Sequence, residues 1–193
     1  MLYSMKNFTF RPITRGDFTL LSQWLATPHV ARWWADDASA AAIEADYGGC
    51  VDGTEPAEVF IAHCGARPAG LIQRYRLDAY PQYIEELAAI MTVPAAAWSI
   101  DYFLGPADVL GQGLGTRMVQ AFVARIWRDD NAASCVIVPT NAYNRASWRS
   151  LERAGFTRVA SGDLTPDNPV DDPAHFIYRL DRLDRPGHLV DSA

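Results

Sequence analysis

The chain has 193 residues, 49% hydrophobic and 21% charged, enough to bury one substantial core, and a single domain over residues 1–193 is expected. Its formal net charge is −6 and its 17 Lys and Arg are scattered, which argues against a surface that tracks a phosphate backbone, so no nucleic-acid partner is expected. Such a charge fits plain solubility, and it also fits a cavity that gathers carboxylates around a small cation.

Phe8-Thr9-Phe10-Arg11 alternates apolar and polar as a half-buried strand does, and Pro12 with Thr14 to Asp17 opens a helix through Leu20, Leu21, Trp24 and Leu25. Further helices are expected at Pro28 to Trp34 and from Ala40 through Ile43 and Tyr47 to Gly48-Gly49, and these segments should cap one end of a sheet. Val59 to Ala62 and Ala69 to Tyr75, separated by Gly65-Ala66-Arg67-Pro68, predict an antiparallel hairpin. Trp98 to Leu104 reads as a strand, and Met118, Val119, Phe122, Val123 and Ile126 continue at helical spacing after a glycine loop. Ala133 to Val138 is another apolar strand, passing through Pro139-Thr140-Asn141 into a helix that ends at Ala154-Gly155. Phe156 to Ala160 and Phe176 to Leu180 read as closing strands.

Met1 to Asn7 shows no basic stretch followed by an apolar segment, and no apolar run approaches about 18 residues, so a cytoplasmic protein without a membrane partner is expected. Cys50, Cys64 and Cys135 share no C-x-x-C spacing and read as reduced packing residues, with no metal site indicated.

Leu110-Gly111-Gln112-Gly113-Leu114-Gly115-Thr116 places three glycines just ahead of a helix, where backbone N–H groups and the helix dipole can face an anion such as a pyrophosphate. A turn needing positive φ would select the same residues. No Lys-Ser or Lys-Thr pair follows, which removes a P-loop, and the loop lies behind antiparallel strands rather than in an initial βαβ unit. Asp101, a carboxylate inside an apolar strand beside this loop, must be solvated by a ligand site or paired, which makes it a candidate base; an Asp on the solvent side of the strand is the alternative. Asp36, Asp37, Glu85 and Glu86 could together hold a polyammonium acceptor or form a solvated face, and one of Trp33 and Trp34 should be core. His175, just ahead of the last strand, reads as a strand-end polar residue.

The glycine loop with its strand and helix resembles the coenzyme A signature of the GNAT superfamily of N-acetyltransferases, Arg/Gln-x-x-Gly-x-Gly/Ala. Gly113 and Gly115 fill its fixed positions, and Leu110 stands where Arg or Gln is usual. Asn144, Ser147, Gly155 and Phe156 match the family's second signature, with Leu151 where many members carry a Tyr that returns a proton to the departing thiolate; Tyr143 is a neighbouring substitute. The resemblance implies a mixed, mostly antiparallel α/β sheet flanked by helices, with the Asp101 strand splayed from the Cys135–Val138 strand. It implies acetyl-CoA as cofactor, held by Tyr102, Phe103, Leu104, residues Leu110 to Thr116, Asn144 and Ser147, with the oxyanion on a backbone N–H near Tyr102 to Leu104.

His29 to Trp34, Pro68 to Tyr75 and Ser99 to Tyr102 are similar to stretches of the aminoglycoside 6'-N-acetyltransferases. By that likeness Asp101 receives the amine proton, Trp34 walls the acceptor pocket and Gln73 and Tyr75 line its floor, while Pro139-Thr140-Asn141 lacks the acidic residue those enzymes carry there. The expected partner is a small-molecule amine, with a monomer or homodimer as the assembly, and exposed tryptophans and the stretch from Asp163 to Pro173 as a place for subunit contact. A siderophore-type acceptor, a protein N-terminus, or a silent coenzyme A sensor are the other readings.

Overall fold

The computed structural model describes residues 7–166 and 168–183; Met1 to Lys6, Asp167 and the last ten residues, which complete the expected 1–193 domain, lie outside the described residues. Seven strands make one sheet in the order β1-β2-β3-β4-β5-β7-β6. They are β1 (Phe8–Pro12), β2 (Glu58–Cys64), β3 (Arg67–Arg76), β4 (Ala97–Leu104), β5 (Cys135–Asn141), β6 (Thr157–Asp163) and β7 (Ala174–Asp181). Between them run α1 (Phe18–Leu25), α2 (Pro28–Trp34), α3 (Ala40–Asp52), α4 (Pro81–Ala88), α5 (Leu114–Asp129) and α6 (Arg145–Ala154).

Every neighbouring pair is antiparallel except β4 with β5, whose parallel pairing is confined to Ala97 with Cys135 and Trp98 with Val136. Beyond those pairs the two strands part, so the mixed sheet carries the fork that the resemblance implied. Strand alternation then decides which side chains meet which layer. Trp98, Ile100, Val136, Val138 and Tyr178 face α5 and α6. Helix α5 buries Leu114, Met118, Val119, Phe122, Val123 and Ile126 on one side, a transfer free energy on the order of 10 kcal/mol before entropy is counted.

The opposite sheet face carries two separate apolar clusters. Ile61, Leu71 and Phe103 pack under α1, α2 and α3, whereas Tyr75, Ala97, Cys135, Ile137 and Ile177 pack with Leu87 of α4 and Leu164. Gln73, Ser99 and Asp101 occupy the strip between them by alternation on β3 and β4. The first three helices thus cover half of a face rather than capping an end of the sheet.

Most strand ends differ from expectation by one to three residues, and three elements differ in ways that matter for the site and its frame. Helix α3 passes through Gly48-Gly49 and stops at Gly53, whose φ of 71° supplies the left-handed cap. A Cβ on Gly48 would sit 2.6 Å from a Glu44 carboxylate oxygen, so glycine there leaves room for the ion pair of Glu44 with Arg15. Helix α4 was not expected at all, although Pro81 at its first turn with Ile84 and Leu87 one turn apart signals it. Strand β5 starts at Cys135 and continues through Pro139, past the point where β4 has left it, a place compatible with a residue that donates no ladder bond. Cys50, Cys64 and Cys135 are free thiols, and no described helix is long and apolar enough to cross a membrane.

Candidate active site

A cavity of about 480 Å³ opens at the fork, and its wall draws residues from both sheet faces. Tyr102, Val138, Thr140, Asn144 and Ser147 come from the α5–α6 side, and Gln73, Tyr75, Ser99, Asp101, Pro139, Asn141 and His175 from the other. The cavity therefore passes through the sheet. Five carboxylates line it, on Asp36, Asp46, Glu86, Asp101 and Asp171, with no Lys or Arg among the described lining residues. A cationic ligand is favoured by that field.

Four of the five carboxylates are held by hydrogen bonds from neighbouring side chains. Gln73, opposite Asp101 in register, donates Nε2 to Asp101 Oδ2 at 2.9 Å. Tyr47 donates its hydroxyl to Asp36 at 3.3 Å, Thr165 donates to Glu86 at 3.1 Å, and Arg32 donates to Asp171 at 2.6 Å. Burial pushes the Tyr75 hydroxyl well above the usual phenol range, and the Asp101 charge adds to it. Tyr75 is near enough to Ser99 to be influenced by it, but the pair misses hydrogen-bond geometry. Ala35 ends α2 in the left-handed region at φ 52°, and the reversal brings Trp34 and Asp36 to the same wall. Trp34 is braced edge-on by Phe103 with centroids 4.8 Å apart, while Trp33 stacks under Arg32.

On the α6 side, Asn144 caps the helix by accepting from Ser147 N at 3.2 Å. The Tyr102 hydroxyl lies 3.2 Å from both the carbonyl and the Oγ of Ser147, and burial pushes its pKa up to about 12. Leu151 is buried against α5 in the core, and Tyr143 is exposed and away from the cavity wall. The glycine loop lies outside the wall, at the start of α5. Gly111 and Gly113 have φ of 71° and 73°, and a Cβ on either would meet nothing within 4 Å. Glycine is thus required by backbone conformation rather than by crowding, and the helix N-terminus stays open. Gln112 donates to Asp108 O at 2.7 Å, tying the loop to the turn before it.

Of the residues expected from sequence, Trp34, Gln73, Tyr75, Glu86, Asp101, Tyr102, Asn144 and Ser147 line the cavity, as does Asp36. Glu85 lies in a separate shallow groove beside Arg76, and Asp37 caps the start of α3 through Ser39. Phe103 is core, and the Leu104 carbonyl lies 2.9 Å from His29 Nε2. Sequence reasoning passed over Asp46, Asp171, Ser99, Thr140 and Tyr83. Asp46 beside Tyr47 on α3 carried a readable signal, since Tyr47 was already placed on a helix; Asp171 carried none. His175, expected at a strand end, is at the start of β7 with Nδ1 2.7 Å from Pro173 O. No group of three or more possible metal ligands stands together among the described residues.

The acetyltransferase (GNAT) domain model matches residues 14–164. The chain is 31% identical over 171 residues to an aminoglycoside N(6')-acetyltransferase type 1 of Klebsiella pneumoniae, covering 86% of this chain and 82% of that one. A kanamycin resistance protein of Rhizobium radiobacter is 38% identical over 71 residues, 37% of this chain and 64% of that one. Among solved structures, the aminoglycoside acetyltransferase AAC(6')-Ib with coenzyme A and kanamycin superposes with a TM-score of 0.75 at 27% identity, over 91% of this chain and 95% of that one. The matched span holds the glycine loop, the fork and the capped α6, and the chain belongs to the GNAT acetyltransferases.

Proposed function

We propose that this protein transfers the acetyl group of acetyl-CoA to a primary amine of an aminoglycoside, at the 6' position. The observation that carries the reading is the acidic cavity running through the sheet fork, with an open glycine-flanked helix start on one side and five carboxylates on the other. The relatives named for aminoglycoside acetylation, and the similar structure solved with coenzyme A and kanamycin, support it.

Acetyl-CoA would supply an activated acyl thioester, its phosphates facing the backbone of Leu110 to Thr116 and its thiol end near Asn144 and Ser147. Asp101, fixed by Gln73, takes a proton from the ammonium form of the acceptor, the freed amine attacks the carbonyl carbon, and the nitrogen's surplus proton then passes to water as the thiolate leaves. Backbone N–H groups near Tyr102 to Leu104 hold the developing oxyanion. Leu151 has no proton to return to the leaving thiolate, whose ordinary pKa near 8.5 makes it a tolerable leaving group without one. Asp46 and Asp171 supply negative charge in the cavity that Pro139 does not.

The test is thiol release from acetyl-CoA with a panel of aminoglycosides, polyamines, hydroxylamines and N-terminal peptides. Aminoglycosides bearing a 6'-amine should turn over best. Absence of release with every aminoglycoside removes the reading, and release above background with any amine removes a silent coenzyme A sensor.

A further inference from the structure

Two hydroxyls in the cavity wall, Ser99 Oγ and Thr140 Oγ1, are buried with no hydrogen-bond partner in the protein. A buried polar group left in that state costs stability, so a pair of them in one ligand cavity needs a reason. Their positions are not equivalent. Ser99 is the first residue of β4 beyond the last pair of the fork, Trp98 with Val136, and it shares a strand face with Asp101 on the acidic side. On β5, Val136 and Val138 face α5 and α6, so alternation puts Thr140 on that side, where it pairs in register with Phe176, itself packed on the same core. Continuing the parallel register of the fork would set Thr140 opposite Tyr102.

We propose that the two hydroxyls are completed by the two different ligands of the transfer reaction: Ser99 by the acceptor, Thr140 by the thioester end of acetyl-CoA. This rests on the acetyl-transfer reading and deepens it by naming the acceptor's chemistry. Ser99 lies two residues from Asp101 on one strand face, about 7 Å away at ordinary strand rise. The acceptor therefore carries a second polar group, a hydroxyl or amine, at about that distance from the amine that reacts, as an amino sugar does and a simple alkylamine does not.

The experiment compares Ser99→Ala and Thr140→Val, measuring the melting temperature of the free protein, the acetyl-CoA Kd by calorimetry without acceptor, and the acceptor KM. Ser99→Ala should raise the acceptor KM on the order of tenfold and leave the acetyl-CoA Kd alone, whereas Thr140→Val should weaken acetyl-CoA by a similar factor. Neither should melt lower than wild type. A fall in melting temperature with unchanged ligand constants would show that the hydroxyls are structural and overturn the proposal, as would both variants weakening the same ligand. Wild-type protein that acetylates no aminoglycoside refutes the functional reading instead, while the acetyl-CoA binding of Thr140→Val still decides its half of the inference.

Discussion

Replacing Asp101 by Asn removes a negative charge and a proton acceptor while changing almost nothing in shape. Gln73 Nε2, now 2.9 Å from Asp101 Oδ2, retains an amide oxygen to donate to, so the β3–β4 ladder and the cavity wall should survive. Four other carboxylates remain in the cavity, which limits the loss of acceptor binding. The effect should therefore concentrate in kcat. A positioned general base contributes about a hundredfold to ten-thousandfold, or about 3–5 kcal/mol of barrier at 1.36 kcal/mol per tenfold. The assay is steady-state thiol release at saturating acceptor from neutral to alkaline pH, with acetyl-CoA affinity measured separately. Because a primary alkyl amine has a pKa near 10, the unprotonated fraction grows about tenfold per pH unit below that value, and the variant's rate should climb with pH toward the wild-type rate. A kcat within about threefold of wild type at neutral pH, or a deficit that does not shrink as pH rises, would refute the assignment of Asp101 as base.

Gly70→Ala should destabilise by about 2 kcal/mol or more, because its Cβ would lie 2.1 Å from the Phe103 carbonyl oxygen, a backbone atom that cannot swing away; melting should fall by roughly 4–8 °C. Asn144→Ala removes the Oδ1 cap on Ser147 N and should cost about 1 kcal/mol, read as a fall of roughly 2–4 °C in calorimetry. Asp17 is held down to about 2 by its bond from Arg11, with further donors on Thr14. Its folded pKa is below its unfolded value, so the stability it contributes is present above about pH 4 and is lost as pH falls toward 2. Melting temperature plotted against pH should be flatter across that window for Asp17→Asn than for wild type, and parallel curves would remove Asp17 from the acid response.

Patterns local to one segment were legible in the sequence. The spacing of Met118, Val119, Phe122 and Ile126 located α5, and the glycines before it marked a helix start because two of them need positive φ. The strand position of Asp101 implied a partner, and Gln73 proved to be one, three strand residues after the turn-proximal Gly70 on the neighbouring strand. What could not be read was assembled at long range. Glu85 and Glu86 are adjacent on α4, and neighbouring helical positions point about 100° apart, so only a located helix tells which one reaches the cavity. Asp171 reaches it from the β6–β7 connection through Arg32, a contact spanning 139 residues that no local pattern announces. The orphan hydroxyls of Ser99 and Thr140 are visible only once the fork between β4 and β5 exists.

That fork also divides the labour of holding the molecule together. With two registered pairs joining β4 to β5, the strands alone hinge the β1–β4 half of the sheet to the β5–β7 half at one end only. The span of the opening is fixed from behind, by α5, whose Met118, Phe122 and Ile126 share one core with Ile100 of the first half and Val136 and Val138 of the second. The aperture in which acyl transfer would occur is thus calibrated by α5 side chains that lie outside the cavity wall. Trimming Phe122 would act on the reaction as a change of gauge, while leaving every polar group of the cavity in place.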